Sequence, residues 1–91
     1  FAQAAEASVR HLRTRGATHE IDLIVERGDQ RVLAIEVKLA RRVDDRDVRH
    51  LHWLARQIGD DLLDSLVITS GPAAYRRPDG IGVVPAALLG P

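Results

Sequence analysis

Apolar residues recur at every second position along two neighbouring segments of the chain, residues 19–26 and 31–39. This is the period of a β-strand, so Ile21, Leu23 and Val25 should point to one side of the first strand. The residues between the two segments, RGDQ, contain glycine and aspartate, which favour a tight turn. The pattern therefore predicts a β-hairpin.

The segment after the hairpin changes to the period of a helix. Its apolar residues are spaced three or four apart and form one helical stripe, consisting of Val48, Leu51, Leu54, Ala55 and Ile58. Asp44 or Asp45 is a suitable N-cap because a short acidic side chain accepts hydrogen bonds from the first backbone amides. Gly59 suits the C-terminal cap, where the backbone often needs a positive φ.

The remaining segments complete the predicted order of elements. Residues 1–8 predict the end of a helix and residues 9–15 a strand, since helix formers give way to β-branched residues. The apolar run 62–69 predicts a buried strand, residues 75–80 a loop, and IGVV at 81–84 a short strand before a helical turn that begins at Pro85. Because the strand–helix–strand step should form a parallel crossover, we expect an α/β fold with a mixed sheet flanked by helices.

Composition limits the class of protein. The chain has 91 residues, which is enough for a single domain spanning residues 1–91. It contains no cysteine, which excludes disulfides, thiolate metal sites and a cysteine nucleophile. It also lacks a membrane-spanning apolar run and a signal-peptide pattern, so the prediction is a cytoplasmic protein without membrane contact.

The charges balance, with 13 basic and 13 acidic residues. Proteins that bind nucleic acid usually carry a basic excess, so binding here would depend on a local cluster. The residues available for such a cluster are Arg41, Arg42, Arg46 and Arg49.

Two carboxylates and an amine should meet on one side of the hairpin. If Arg27 lies opposite Arg31, Asp22 lies opposite Glu36, and Lys38 shares the face of Glu36. Facing carboxylates repel each other unless a cation neutralises them, and Mg²⁺ prefers carboxylate, carbonyl and water oxygens. The spacing thus predicts a candidate magnesium site, with Lys38 beside it either to position a water or to stabilise charge on a phosphate.

These residues carry a resemblance to known nucleases. ID at 21–22 and IEVKLA at 35–40, joined by strand–turn–strand, resemble the PD-(D/E)XK pattern of restriction-endonuclease-like nucleases and Holliday junction resolvases. Over about residues 9–89 the chain more closely resembles a nuclease-like C-terminal domain of unknown function attached to bacterial and archaeal AAA-type ATPases. The resemblance implies a restriction-endonuclease-like core and a chain that is the C-terminal fragment of an ATPase-linked protein.

The resemblance also implies roles for particular residues. Asp22, Glu36 and the carbonyl of Val37 would bind Mg²⁺ or Mn²⁺, Lys38 would be the catalytic lysine, and DNA would be the substrate. Such nucleases usually carry one more glutamate on the helix before the first strand. Here only Glu6 is available, very close to that strand.

Other interpretations of the same residues stay open. Glu20 and Lys38 could form an ordinary cross-strand ion pair. The domain could bind nucleic acid without cleaving it, or serve only as an interaction domain that forms homo-oligomers. The histidines have no spacing typical of a metal site, and Trp53 beside the apolar stripe is expected to pack half-buried.

Overall fold

A computed structural model describes residues 7–89 as a six-stranded mixed β-sheet with one α-helix. In the sheet, the strands lie in the order β1-β2-β3-β4-β6-β5. The elements are β1 (Ser8–Arg13), β2 (Glu20–Glu26), β3 (Val32–Lys38), α1 (Arg49–Ile58), β4 (Leu62–Thr69), β5 (Tyr75–Arg76) and β6 (Gly82–Pro85).

The predicted strand pairings are confirmed. β2 and β3 form the antiparallel hairpin, and β3 and β4 are parallel with α1 between them in the chain. β6 adds a second parallel pairing at β4, whereas β1 and β5 pair antiparallel with β2 and β6 at the two edges. The fold class is thus a mixed α/β sheet, as the change of hydrophobic period indicated.

The start of the helical segment follows the predicted capping chemistry. The Asp44 side chain accepts hydrogen bonds from the backbone amides of Arg46 and Asp47, and the Asp47 side chain accepts one from the amide of Asp44. This reciprocal capping box satisfies amides that have no partner inside a helix. A 3-10 turn over Asp45–Val48 precedes α1, and Gly59 ends the helix with a φ of 53°.

Several predicted boundaries were wrong. Ser8 belongs to β1 instead of a helix, while residues 1–6 of the predicted helix lie outside the described residues. Residues 75–80 are not all loop, because Tyr75–Arg76 pair with β6 as a short edge strand. The predicted helical turn is a 3-10 turn over Ala86–Leu89, and Pro85 ends β6.

The buried core lies between α1 and one face of the sheet. Ile24, Val32, Ala34 and Val67 from the strands pack with the helical stripe led by Leu51. The opposite face of β2 and β3 carries the other half of the alternation, and its aliphatic side chains are half-buried or exposed among the described residues: Leu23, Val25, Leu33, Ile35 and Val37.

A β-bulge corrects the predicted side of Ile21. Arg10 pairs with Ile24 and Leu12 with Ile21, so His11 alone lies opposite Asp22 and Leu23. The extra residue in β2 reverses the alternation, and fully buried Ile21 joins the same core cluster as Ile24 instead of sharing the face of Leu23.

Within residues 7–89 the structure contains no helix that is both long enough and apolar enough to cross a membrane.

Candidate active site

Asp22, Glu36 and Lys38 come together at one end of the sheet, as the sequence predicted. They line an open cleft of about 260 Å³ where β3 ends and β2 begins. The first turn of the helical segment contributes to the same cleft, since the chain leaves β3 there and re-enters the structure as α1. The complete lining is Glu20, Asp22, Glu36, Val37, Lys38, Asp47 and His50.

The hairpin register that underlies the site is confirmed. Leu23 pairs with Ile35 and Val25 with Leu33, and the amide of Arg27 donates to the carbonyl of Arg31 at 2.9 Å. The regular ladder ends at Leu23, immediately before the two acidic side chains.

Beyond that point carboxylates replace the backbone ladder. The amide of Asp22 donates to Oε1 of Glu36 at 3.1 Å, and the amide of Val37 donates to Oδ2 of Asp22 at 2.8 Å. Each carboxylate is therefore fixed through one of its own oxygens, which accepts a hydrogen bond from a backbone amide of the opposite strand. The second oxygens, Oδ1 of Asp22 and Oε2 of Glu36, make no hydrogen bond with the described residues, and both residues line the cleft.

The bulge in β2 explains this arrangement. In regular antiparallel pairing, the N–H and C=O of one residue point towards the same neighbouring strand. At Asp22 they diverge, because the carbonyl faces His11 of β1 (Nδ1 at 3.4 Å) while the amide faces Glu36 of β3. The bulge thus turns the Asp22 backbone so that both carboxylates are held together.

The Val37 carbonyl fits the ligand role that the resemblance implies for it. The Val37 amide points towards Asp22 on β2. In a strand the carbonyl of a residue points to the same side as its amide, so the Val37 carbonyl also faces β2, where the regular ladder has ended. This direction makes the Val37 carbonyl a candidate third oxygen beside the two carboxylates.

Electrostatics favour a cation in this gap. Partial burial raises the pKa of Glu36 to about 7, and the neighbouring charges of Asp22 and Glu20 act in the same direction, against one backbone hydrogen bond. Across residues 7–89 no three His, Cys, Asp or Glu side chains are grouped to hold a metal. Mg²⁺ often binds through only one or two carboxylates, completed by carbonyls and water, so the donor set present fits it.

Lys38 is paired with Asp47 and not with Glu20, the cross-strand partner that the sequence left open as an alternative. Its Nζ lies 2.7 Å from Oδ1 of Asp47, whereas Oε2 of Glu20 lies 3.1 Å from Nε2 of His11. The hydrogen bond to Asp47 raises the pKa of Lys38, so the side chain is an ammonium ion at neutral pH. It can stabilise negative charge but does not act as a base.

His50 enters the cleft from α1, and His19 holds its ring. The two Nδ1 atoms are 3.2 Å apart, and the His19 ring stacks on Trp53 with centroids 4.2 Å apart. Burial lowers the pKa of His50, with Arg49 and His19 adding to the effect. His52 points elsewhere and contacts Asp79, which confirms that the two helix histidines do not share a face.

Sequence reasoning missed Asp47 and His50 as residues of the cleft. A signal was present, because a helix that follows β3 begins at the sheet end where β3 stops. Its first turns, which carry both residues, must therefore lie beside Glu36 and Lys38. Glu6, the candidate for an additional acid, lies outside the described residues.

The fold and the site together define a small mixed α/β domain with an acidic cleft at one sheet end. The chain belongs to the family DUF4143, a domain of unknown function whose model matches residues 1–89. Comparisons with curated proteins and with solved structures find no match for the chain.

Proposed function

We propose that this domain hydrolyses phosphodiester bonds of DNA with a bound Mg²⁺ or Mn²⁺ ion, on a restriction-endonuclease-like core. The observation that carries the proposal is the reciprocal anchoring of Asp22 and Glu36. Each carboxylate uses one oxygen to accept a backbone amide of the opposite strand, its second oxygen makes no hydrogen bond within residues 7–89, and both residues line the cleft together with Val37. Facing carboxylates fixed in this way are stabilised by a divalent cation.

The residues of the cleft have separate roles in the proposed reaction. Asp22, Glu36 and the Val37 carbonyl would hold the ion, which when bound lowers the pKa of water and polarises a phosphate. Lys38 is a fixed positive charge at the same cleft and stabilises the charge that develops on the phosphate oxygens. Its raised pKa favours this electrostatic role over a role as proton acceptor.

The resemblance to domains attached to AAA-type ATPases suggests a context for this activity. In the proposed arrangement an ATPase module precedes the domain in the full protein and delivers the nucleic acid to the cleft. Nuclease assays should therefore use the full-length protein as well as this domain.

Titration with Mg²⁺ and with Mn²⁺, followed by calorimetry and by NMR, tests the metal site directly. The matched variant is Asp22→Asn, because an asparagine Oδ1 can still accept from the Val37 amide while the charge is lost. We expect the affinity for both ions to fall at least tenfold in this variant, and cleavage of plasmid DNA by the full-length protein to be lost.

Asp29→Asn is the control, since Asp29 also accepts from a backbone amide but lies in the β2–β3 turn at the other end of the hairpin. It should bind metal like the wild type. Equal metal affinity in Asp22→Asn and wild type would overturn the assignment of the ligands. Metal binding without any cleavage by the full-length protein would instead favour a non-catalytic domain.

A further inference from the structure

We infer that six arginines at the cleft end of the sheet form a binding surface for the phosphate backbone of duplex DNA. These site-end arginines are Arg13, Arg15, Arg41, Arg42, Arg46 and Arg49. The inference deepens the proposed function, on which it rests only for the position of the cleaved phosphate. Arg13 and Arg15 extend the surface beyond the cluster visible in the sequence.

Ion pairing separates the arginines of this electrically neutral chain into two groups. Four of them form salt bridges with carboxylates, namely Arg10, Arg27, Arg76 and Arg77. Eight make no salt bridge among residues 7–89, and all eight are exposed. Six of these eight are the site-end arginines, and the other two are Arg31 and Arg56.

The topology places the site-end arginines around the cleft. Arg13 ends β1 and pairs with Glu20 at the start of β2, and Arg15 follows in the connecting turn. On the other side, Arg41 and Arg42 lie three and four residues after Lys38, in the segment that follows β3. Arg46 lies in the 3-10 turn next to Asp47, the partner of Lys38, and Arg49 begins α1.

The acidic side chains at this end contact partners other than the site-end arginines. Glu20 contacts His11, Asp45 binds Arg77 and Asp47 binds Lys38. Asp44 accepts the backbone amides at the helix start. Asp22 and Glu36 accept backbone amides, so no carboxylate within residues 7–89 holds a site-end arginine in a salt bridge.

Exposed guanidinium groups on both sides of a cleft suit a polyanion that crosses it. Phosphate contacts contribute affinity without sequence preference, and each contact releases counterions. Binding by this surface should therefore weaken steeply with salt, although the net charge of the chain is zero.

The test is fluorescence anisotropy with a 30-base-pair DNA duplex in EDTA over a range of salt concentrations. Three double variants are compared, Arg13→Gln with Arg15→Gln, Arg41→Gln with Arg42→Gln, and Arg31→Gln with Arg56→Gln. We expect each site-end pair to lower the slope of log K against log salt by about 1–2, at roughly 0.9 for each lost phosphate contact. The third pair removes the same charge far from the cleft and should match the wild type.

Equal losses of DNA affinity in all three variants would show a bulk charge effect and overturn the proposed binding surface. Wild-type binding that does not depend on salt would also overturn it. A loss of binding in the Arg41 and Arg42 variant alone would overturn it too, because the β1–β2 side would then make no phosphate contacts. Tighter binding of a single-stranded RNA of the same length would overturn the choice of duplex DNA. Because EDTA removes divalent metal, the expected pattern could hold even if the metal titration fails, so the two proposals fail separately.

Discussion

Asp22 and Glu36 show how two carboxylates are kept together at the residue scale. Each accepts a hydrogen bond from the backbone of the opposite strand, so neither side chain can turn away from the other without losing that bond. Burial, with smaller contributions from the charges of Asp22 and Glu20, raises the pKa of Glu36 to about 7, so its ionised form is disfavoured in the metal-free domain. The raised pKa makes the pair responsive to pH and to cations.

Glu36→Gln should stabilise the metal-free domain at pH 8. The raised pKa means that the folded state binds a proton more tightly than the unfolded chain, so wild-type stability falls as pH rises from about 4.5 towards about 7. Glutamine keeps the acceptor for the Asp22 amide but not the charge. After discounting for solvent screening of this half-exposed group, we expect a gain of about 1–2 kcal/mol in unfolding free energy.

Urea denaturation at pH 8 and at pH 4 measures this effect. The gain should be much smaller at pH 4, which is below the pKa of Glu36 in both states. Asp61→Asn, at an exposed carboxylate, is the control. A variant that is less stable than wild type at pH 8 would contradict the electrostatic description of the site.

Asp47→Asn should release Lys38 without damaging the helix start. The asparagine Oδ1 can still accept from the Asp44 amide, which preserves the capping box, but the negative partner of Lys38 is lost. We expect the pKa of Lys38 to fall, as followed by NMR of the side-chain Nζ and Cε resonances. If the domain is a nuclease, kcat should drop more than KM changes.

Asp45→Asn is the matched control, because Asp45 lies in the same turn but binds Arg77 instead of Lys38. It should leave the Lys38 titration unchanged. The same Lys38 titration in Asp47→Asn and wild type would show that Asp47 does not hold the ammonium.

At the scale of elements, the cleft depends on how closely the segment after β3 packs against the segment after β4. The amide of Ser70 donates to the carbonyl of Ala40, and a Cβ built on Gly71 would lie only 2.6 Å from the Arg41 carbonyl oxygen. Gly71 is thus required by a close approach of two backbones. This contact fixes the path by which the chain leaves Lys38.

Gly71→Ala should therefore destabilise the domain by about 1–3 kcal/mol, the usual cost of overpacking. It should also shift the amide resonances of residues 40–42 in NMR spectra, because backbone has to move to relieve the clash. Ser70→Ala, at the exposed neighbouring position, is the control and should have little effect on either measurement. A fully stable Gly71→Ala with unchanged resonances would contradict the close contact.

At the scale of the whole molecule, the described residues form a sheet that is covered by a helix on one face. The buried cluster combines Ile24, Val32, Ala34 and Val67 with α1, although both faces of β2 and β3 are rich in aliphatic residues. Adjacent residues on β2 should therefore differ sharply in their contribution to stability.

Ile24→Ala should cost about 2–4 kcal/mol in unfolding free energy, since it removes buried methyl groups from a packed core. Leu23→Ala, at a side chain that is 36% exposed, should cost less than about 1 kcal/mol. Chemical denaturation of the two single variants compares them directly. An equal loss of unfolding free energy in the two variants, or a larger loss in Leu23→Ala, would contradict a core on the Ile24 face of the sheet.

Local patterns determined much of this fold. The alternation in 19–26 and 31–39 and the RGDQ turn specified the hairpin and its register, because a slip by one residue would separate its two aliphatic rows. The capping chemistry of Asp44 and Gly59 specified the helical segment, because it acts over only a few residues. The register brought Asp22, Glu36 and Lys38 to the same end of the hairpin.

The tertiary structure decided the rest, because it depends on contacts between residues distant in the chain. Both faces of the hairpin are aliphatic, so only the packing of α1 selected the Ile24 face as the core. The bulge at Asp22 arises from pairing with β1 and moves Ile21 to that core. Lys38 pairs with Asp47 instead of Glu20 because the helix begins at the sheet end where β3 stops, a juxtaposition that no local pattern encodes.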